Sequence, residues 1–269
     1  MQCQRRATIE SKPLELAMLN MHQPLIAIGI QCRLTSFRLP CKALLKLADT
    51  TVLGMCFQRA KHARHPVFLL TSDQKEDDIL VNAALQYGAD GIIRGSLENV
   101  LSRYLKLIQS FPCEYIIRVT ADNPLTEYGF VGPLIDHVYL NDLSYAWVES
   151  SLCPEGTNIE IFSRKALLES VNTDKSSSNR EHVTTFMRRN LSSKQCLKDV
   201  ASQRFPFDCT QLSFTIDTIS DYVKVVNLIE FVKQQQGTCW REPDFVKICA
   251  KFALKKQSSY PLGRNHPIV

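Results

Sequence analysis

No apolar run in this 269-residue chain approaches the roughly 18 residues that a membrane-crossing helix needs, so none is expected. The first 20 residues carry an Arg5-Arg6 pair but neither a continuous apolar segment nor a small-residue cleavage site, and no secretory signal is expected. Ten cysteines are present without one C-x-x-C pair or any regular spacing, and the six histidines add no paired ligand set. With no signal, these cysteines read as thiols of a reducing cytoplasm, and a zinc site is not expected. Nor is there a basic block. The surplus of 32 Lys+Arg over 27 Asp+Glu, +5, argues for anionic small molecules and against nucleic acid as a partner. A content of 45% hydrophobic and 22% charged residues excludes a mainly disordered chain and suits one large domain with a real core.

What the chain does have is alternation. Leu25-Ile26-Ala27-Ile28-Gly29-Ile30 is a short apolar run after Pro24, the pattern of a strand buried on both faces. Residues 50–63 carry Val52, Leu53, Cys56, Phe57 and Ala60 at helical spacing, with Thr50 or Thr51 as N-cap. Pro66-Val67-Phe68-Leu69-Leu70 predicts a second strand, residues 77–87 a helix ended by Gly88, and Gly91-Ile92-Ile93 a third strand. A helix over 97–108 and a fourth strand, Tyr115-Ile116-Ile117-Arg118-Val119, follow. This rhythm predicts parallel strands joined by right-handed helical crossovers, an α/β fold. It then loosens. Helices are expected over 131–140, 164–171, 180–190 and 220–234, and strands at 144–148, 158–162 and Leu212-Ser213-Phe214-Thr215-Ile216. Residues 172–178 read as a mobile loop, 192–208 as a polar connection and 255–269 as a tail.

Three stretches carry chemistry. In an open α/β sheet the ligand crevice lies outside the carboxyl ends of the strands. The loop after the first strand holds Gln31, Arg33, Ser36, Arg38 and Lys42, three cations and a hydroxyl suited to phosphate oxygens. Arg118-Val119-Thr120-Ala121-Asp122-Asn123-Pro124-Leu125 puts Asp122 just past the fourth strand, and Phe214-Thr215-Ile216-Asp217-Thr218 puts Asp217 past another. Two carboxylates on one rim beside cations are what a hydrated Mg²⁺ bridging to phosphate requires. Each feature also has a plainer reading: a solvated basic loop, an Asx-turn at Asp122 before Pro124, and an N-cap at Asp217.

The order of these segments resembles the cytidylyltransferase family of surface-polysaccharide synthesis, which includes the spore-coat polysaccharide and acylneuraminate branches and, more distantly, the enzyme that makes CMP-Kdo. The family loop Q-A-R-x-x-S-x-R-L-P-x-K is met by Gln31, Arg33, Ser36, Arg38, Leu39, Pro40 and Lys42. Segments like Arg94-Gly95-Ser96-Leu97-Glu98, Arg118 to Leu125, Asn179-Arg180-Glu181-His182 and Thr215-Ile216-Asp217-Thr218 follow in the family order. The resemblance implies a Rossmann-like nucleotidyltransferase fold, with a mostly parallel central sheet and a small dimerisation or sugar-binding lobe. It implies transfer of CMP from CTP to a nonulosonic or 2-keto-3-deoxy sugar acid, in the cytoplasm, by an Mg²⁺-dependent homodimer.

Carried over by residue, the resemblance assigns Arg33, Lys42 and Asp122 to catalysis and Asp122 and Asp217 to the metal. Gln31, Arg33, Ser36, Arg38, Lys42, Arg94 and Ser96 would bind the nucleotide, and Glu155, Asn158, Arg180 and His182 the acceptor. Arg103 and Glu98 read as helix-surface charges, and Phe37 either packs into the pocket or covers it. Thr35, Cys41 and Ala121 stand where the family commonly has glycine. Glycine reaches positive φ at no steric cost, so the loop is expected to be reshaped, to bind the triphosphate more weakly, or to have lost catalysis. The alternatives are therefore an impaired nucleotide- or sugar-binding homologue, or a transferase acting on a sugar or alditol phosphate. Residues 1–24 are expected to form a disordered leader with Met18 or Met21 as candidate start, 25–235 the catalytic domain, and 236–269 a C-terminal helix and tail.

Overall fold

The computed structural model describes residues 24–255. The expected leader, apart from Pro24, and residues 256–269 of the expected tail lie outside the described residues. The strands are β1 (Ile26–Gln31), β2 (Lys46–Leu47), β3 (Thr50–Thr51), β4 (Val67–Ser72), β5 (Gly91–Gly95), β6 (Tyr115–Thr120), β7 (Tyr145–Val148), β8 (Glu160–Ser163) and β9 (Lys194–Leu197). The α-helices are α1 (Val52–Ala60), α2 (Asp78–Gln86), α3 (Val100–Ser110), α4 (Val131–Leu140), α5 (Arg164–Thr173), α6 (Ser177–His182), α7 (Thr185–Asn190), α8 (Lys198–Arg204), α9 (Ile219–Gln236) and α10 (Phe245–Lys255).

Seven strands form one sheet in the order β5-β4-β1-β6-β8-β7-β9, and β2 and β3 make a separate short hairpin. From β5 through β6 every pairing is parallel. β8 is reversed against both β6 and β7, and β9 again runs parallel to β7. Side-chain alternation sends Ile26, Ile28 and Ile30 into one core with α1, α4, α9 and α10, while Ala27 faces a second core with α3, α5 and α7. Each of those isoleucines is buried and contributes about 1.5–3 kcal/mol relative to exposure. Burial on both faces explains why these strands read as continuous apolar runs.

Local signals set most boundaries. Thr51 caps α1 through Gly54 N, and Asn99 caps α3 through Ser102 N, which moves the start of α3 from the expected residue 97 to Val100. Gly88 has φ 83° just beyond α2, as a helix-ending glycine should. The helix expected over 180–190 is instead two helices, α6 and α7. Val183 between them has φ 65° and ψ −54°, and Thr184 N donates to His182 O across it at 2.6 Å, a tight and strained three-residue turn. The loop expected at 172–178 is shortened by α5, which runs to Thr173, and by α6, which Ser176 caps. The polar connection at 192–208 holds β9 and α8.

The strand expected at 212–216 does not form. That stretch makes one isolated bridge, Ser213 with Glu155, because its backbone is satisfied by two loops rather than by a neighbouring strand. Glu155 N donates to Leu212 O, Phe214 N to Glu155 O, and Ile216 N to Asp122 O at 2.9 Å. The last of these ties the Asp217 segment directly to the Asp122 segment.

Candidate active site

The carboxyl ends of β1 and β6 open into a cavity of about 540 Å³, within the usual size range for small-molecule sites. Gln31, Arg33, Ser36, Arg38, Lys42, Asp122, His182 and Asp217 all line it. Two acids 95 positions apart meet here on one ammonium: Lys42 Nζ donates to Asp122 Oδ2 at 2.9 Å, Asp217 Oδ1 at 3.0 Å and Ile216 O at 2.9 Å. Arg38 reaches the other Asp217 oxygen at 2.9 Å. Burial works against the charges of both Lys42 and Asp122, yet their mutual attraction outweighs it. The ammonium is held above the ordinary lysine value and the Asp122 carboxyl below the ordinary carboxylate value, with the Thr120 hydroxyl helping. Asp217 does not cap the following helix. Thr218 does, reciprocally with Asp221.

The loop that carries Lys42 is fixed from below. Buried Asp77 accepts from Leu34 N at 2.9 Å, from Thr71 Oγ1 at 2.9 Å and from Ser72 N and Oγ, binding the loop to the end of β4. The substituted glycines do not reshape it by strain throughout. Thr35 and Ala121 are absent from the positive-φ positions, and Cys41 alone of the three takes one, φ 59° and ψ 17°, the left-handed turn that glycine would supply. Cys41 is exposed, so Cys41→Gly relieves that turn without opening a cavity. It is expected to raise stability by about 0.5 kcal/mol, the relief being partly offset by the freer unfolded chain; a urea melt checks it.

Five residues expected at the site do not line the main cavity. Arg94 points along the β4 rim, donating to Ser72 O at 2.9 Å and Gln74 O at 2.7 Å and pairing with Asp78. Ser96 Oγ accepts from Asn99 N at the start of α3. Arg180 is exposed on α6, outside the cavity lining. Glu155 is held by the 212–214 stretch and has a buried Oε2 without a partner. Asn158 lines a smaller polar cavity of about 130 Å³. Phe37 lines the main cavity but is 100% exposed, so it does not pack into the pocket.

Two charged groups escaped the sequence reading. Arg103 is no surface residue: it is 1% exposed, lines the cavity, and spends its guanidinium on Ser96 O at 3.0 Å, Leu97 O at 3.0 Å and Leu70 O at 3.4 Å. It thereby braces the cavity wall beyond β5. Glu160, at the start of β8, accepts from Arg118 Nη1 at 2.6 Å, Thr184 Oγ1 at 3.1 Å, Tyr145 OH at 2.6 Å and Arg188 Nη2 at 3.3 Å. Burial alone would raise the Glu160 carboxyl, but Arg118 and Arg188 hold it below its ordinary value. Arg118 also donates to Gln31 Oε1 at 3.0 Å, as Tyr104 OH does at 3.2 Å, and it lines both cavities.

The same segments define a sequence family. Residues 26–246 match the model of the cytidylyltransferases. The chain belongs to the cytidylyltransferase family. Among curated proteins it is similar to the spore coat polysaccharide biosynthesis protein SpsF of Bacillus subtilis, 28% identical over 210 residues, covering 75% of this chain and 85% of SpsF. Among solved structures it is similar to a cytidylyltransferase from Leptospira borgpetersenii serovar Hardjo-bovis (TM-score 0.78, 24% identity, 91% and 99% of the two chains covered). It is also similar to CMP:2-keto-3-deoxy-manno-octonic acid synthetase complexed with CTP (TM-score 0.58, 16% identity, 77% and 98% covered). These likenesses establish a Rossmann-like nucleotidyltransferase fold, as the sequence resemblance implied. In the described residues of this family member, no helix is long and apolar enough to cross a membrane.

Proposed function

We propose that the protein transfers CMP from CTP to a sugar acid of the nonulosonic or 2-keto-3-deoxy type, releasing pyrophosphate, in the synthesis of a surface polysaccharide or glycan. One observation carries this reading: Asp122 and Asp217 converge on Lys42 at the rim of a cavity that Arg33 and Arg38 also line.

The donor set suits Mg²⁺. Among the described residues no group of three His, Cys, Asp or Glu could hold a metal, and Mg²⁺ ordinarily takes one or two carboxylates and fills its remaining positions with water and phosphate oxygens. Asp122 and Asp217 would hold the ion, which when bound would withdraw charge from the α-phosphate. Arg33, Arg38 and Lys42 neutralise the triphosphate and the departing pyrophosphate, while Gln31, fixed by Arg118 and Tyr104, offers a preset polar edge to the nucleotide. The acceptor hydroxyl attacks the α-phosphorus, the bond to the β-phosphate oxygen breaks, and the hydroxyl proton passes to water at the open mouth.

The acceptor carboxylate would be met at the smaller cavity. Arg118 and Arg188 share one carboxylate there, and their remaining nitrogens, Nη2 and Nη1, make no hydrogen bond among the described residues. Two arginines against one acid leave a fixed positive charge beside Asn158, which suits a polyhydroxy acid.

Incubating the protein with CTP, Mg²⁺ and a panel of 2-keto-3-deoxy sugar acids should release pyrophosphate only when a matching acceptor is present. Thermal stabilisation by CTP with no release on any member would replace this reading by that of a binding protein. Release on phosphorylated sugars or alditols alone would shift the acceptor class.

A further inference from the structure

Lys42 occupies the position between the two acids, and this has a consequence for the order of binding. An ammonium has three donors and no acceptor. Here all three are spent, on Asp122 Oδ2, Asp217 Oδ1 and Ile216 O, with the side chain only 12% exposed. Arg38 engages the remaining Asp217 oxygen. The cluster is therefore neutral, two carboxylates against two cations, and each oxygen of Asp217 already faces a cation.

Resting on the metal reading of Asp122 and Asp217, we infer that Lys42 is an internal counter-ion that closes the two-carboxylate site in the free protein, so that a divalent cation is admitted only together with a nucleoside triphosphate. A dication approaching the cluster alone meets no net negative charge and an ammonium between the two acids, and both disfavour it. A triphosphate changes the balance. It offers Lys42 and the half-exposed Arg38 phosphate oxygens at the same rim, and a lysine ammonium on its four-carbon stem moves between partners readily. Only the bond to Ile216 O is then left without an ionic replacement. The two carboxylates, freed of their cations, regain their charge toward a metal, which also gains the phosphate oxygens. The result is positive coupling between metal and nucleotide, built from one side chain exchanging partners. It also keeps the acids from collecting adventitious divalent ions when no nucleotide is present.

Mn²⁺ serves as the probe, with free ion counted by electron paramagnetic resonance on the full chain. Wild type is expected to bind Mn²⁺ weakly alone and at least about tenfold more tightly with a non-hydrolysable α,β-methylene analogue of CTP. Lys42→Met should bind Mn²⁺ alone about tenfold more tightly than wild type alone, whereas Lys42→Arg, which keeps the charge, should stay near wild type. If Lys42→Met gains nothing while wild type still binds Mn²⁺ with the analogue, the counter-ion role is wrong and the metal reading stands. If wild type binds no Mn²⁺ even with the analogue, the metal reading fails and this inference with it. Should Lys42→Met not fold, Lys42→Gln gives the same comparison, because it removes the charge while keeping a hydrogen-bond donor; no gain in its Mn²⁺ affinity would equally overturn the role.

Discussion

Asp122→Ala is expected to lower pyrophosphate release by about a thousandfold while leaving the protein folded, and Asp217→Ala to do the same. The rate loss follows from position. Among the described residues each carboxylate is one half of an acid pair in the cavity lining, with Lys42 between them, so under the proposed function truncating either would remove a ligand for the divalent ion, and it releases the lysine from one of its partners. Removing one preorganised electrostatic element costs about a hundredfold to a thousandfold in comparable sites, and this change disturbs two at once. Stability is less affected because both side chains reach the surface, 28% and 18% exposed, and because Lys42 keeps one carboxylate and Ile216 O in either variant. Rate assays paired with thermal melts make the check. A variant with near-normal turnover would remove that acid from the reaction.

Glu160→Ala should instead act on the fold. Its carboxylate is 8% exposed and accepts four hydrogen bonds, two of them from arginines that pair with no other acid among the described residues. Removing one partner of a buried ionic cluster costs about 3–5 kcal/mol, here mainly because Arg118, 18% exposed, loses its counter-ion, while Arg188, 45% exposed, is screened by water. For a chain of this size that corresponds to a fall in melting temperature of about 10 °C. The pH dependence has a definite sign. The folded-state value of Glu160 lies below its ordinary 4.5, so its contribution is complete above pH 4.5 and is lost as pH falls through the lower folded value. Urea melts of wild type and variant should accordingly converge toward acid pH and stand furthest apart near neutrality. Curves that stay parallel down to acid pH would show that the carboxylate's charge is not what holds the cluster.

Most of the sheet could be read in the sequence because its strands are buried on both faces and its helices are amphipathic. β1, β4, β5 and β6 stand out as apolar runs, and α1, α4 and α9 begin and end close to where their spacing and caps place them. That the cationic loop after β1 and the two acids share one rim was also legible, because each directly follows an apolar stretch. The stretch before Asp217 misled in one respect: Leu212, Phe214 and Ile216 alternate inward like a strand, yet their backbone partners are loops, which periodicity does not reveal. The break at Val183 had no local signal, since a β-branched residue rarely takes positive φ and does so here only under tertiary packing that buries it fully.

The polar residues that were missed share a different signature. Arg103 lies on the same stripe of α3 as Val100, Tyr104 and Leu107, and Glu160 stands between Ile159 and Ile161. A charge embedded in an apolar pattern is costly unless it is paired or fully hydrogen-bonded, so such positions can be flagged from sequence even when their partners cannot. Arg94 erred in the other direction. Its motif was recognisable, but its guanidinium is spent on the β4–α2 connection and on Asp78.

The reversed direction of β8 bears on how such a protein can diversify. Because β8 runs against β6, with Glu160 beside Arg118, it presents its first residue, not its last, at the rim. The connection that enters it, residues 149–159, is thus delivered to one flank of the rim, while the cationic loop after β1 is delivered to the other. Changes at Asn158 and Ile159, the end of this connection that lines the smaller cavity, would remodel that cavity, whereas Glu155 earlier in it is tied to the stretch that leads to Asp217. Under the proposed function, donor and acceptor recognition sit on separately editable lengths of chain, a division of labour that lets one nucleotide platform explore new sugars by changing the end of a single connection.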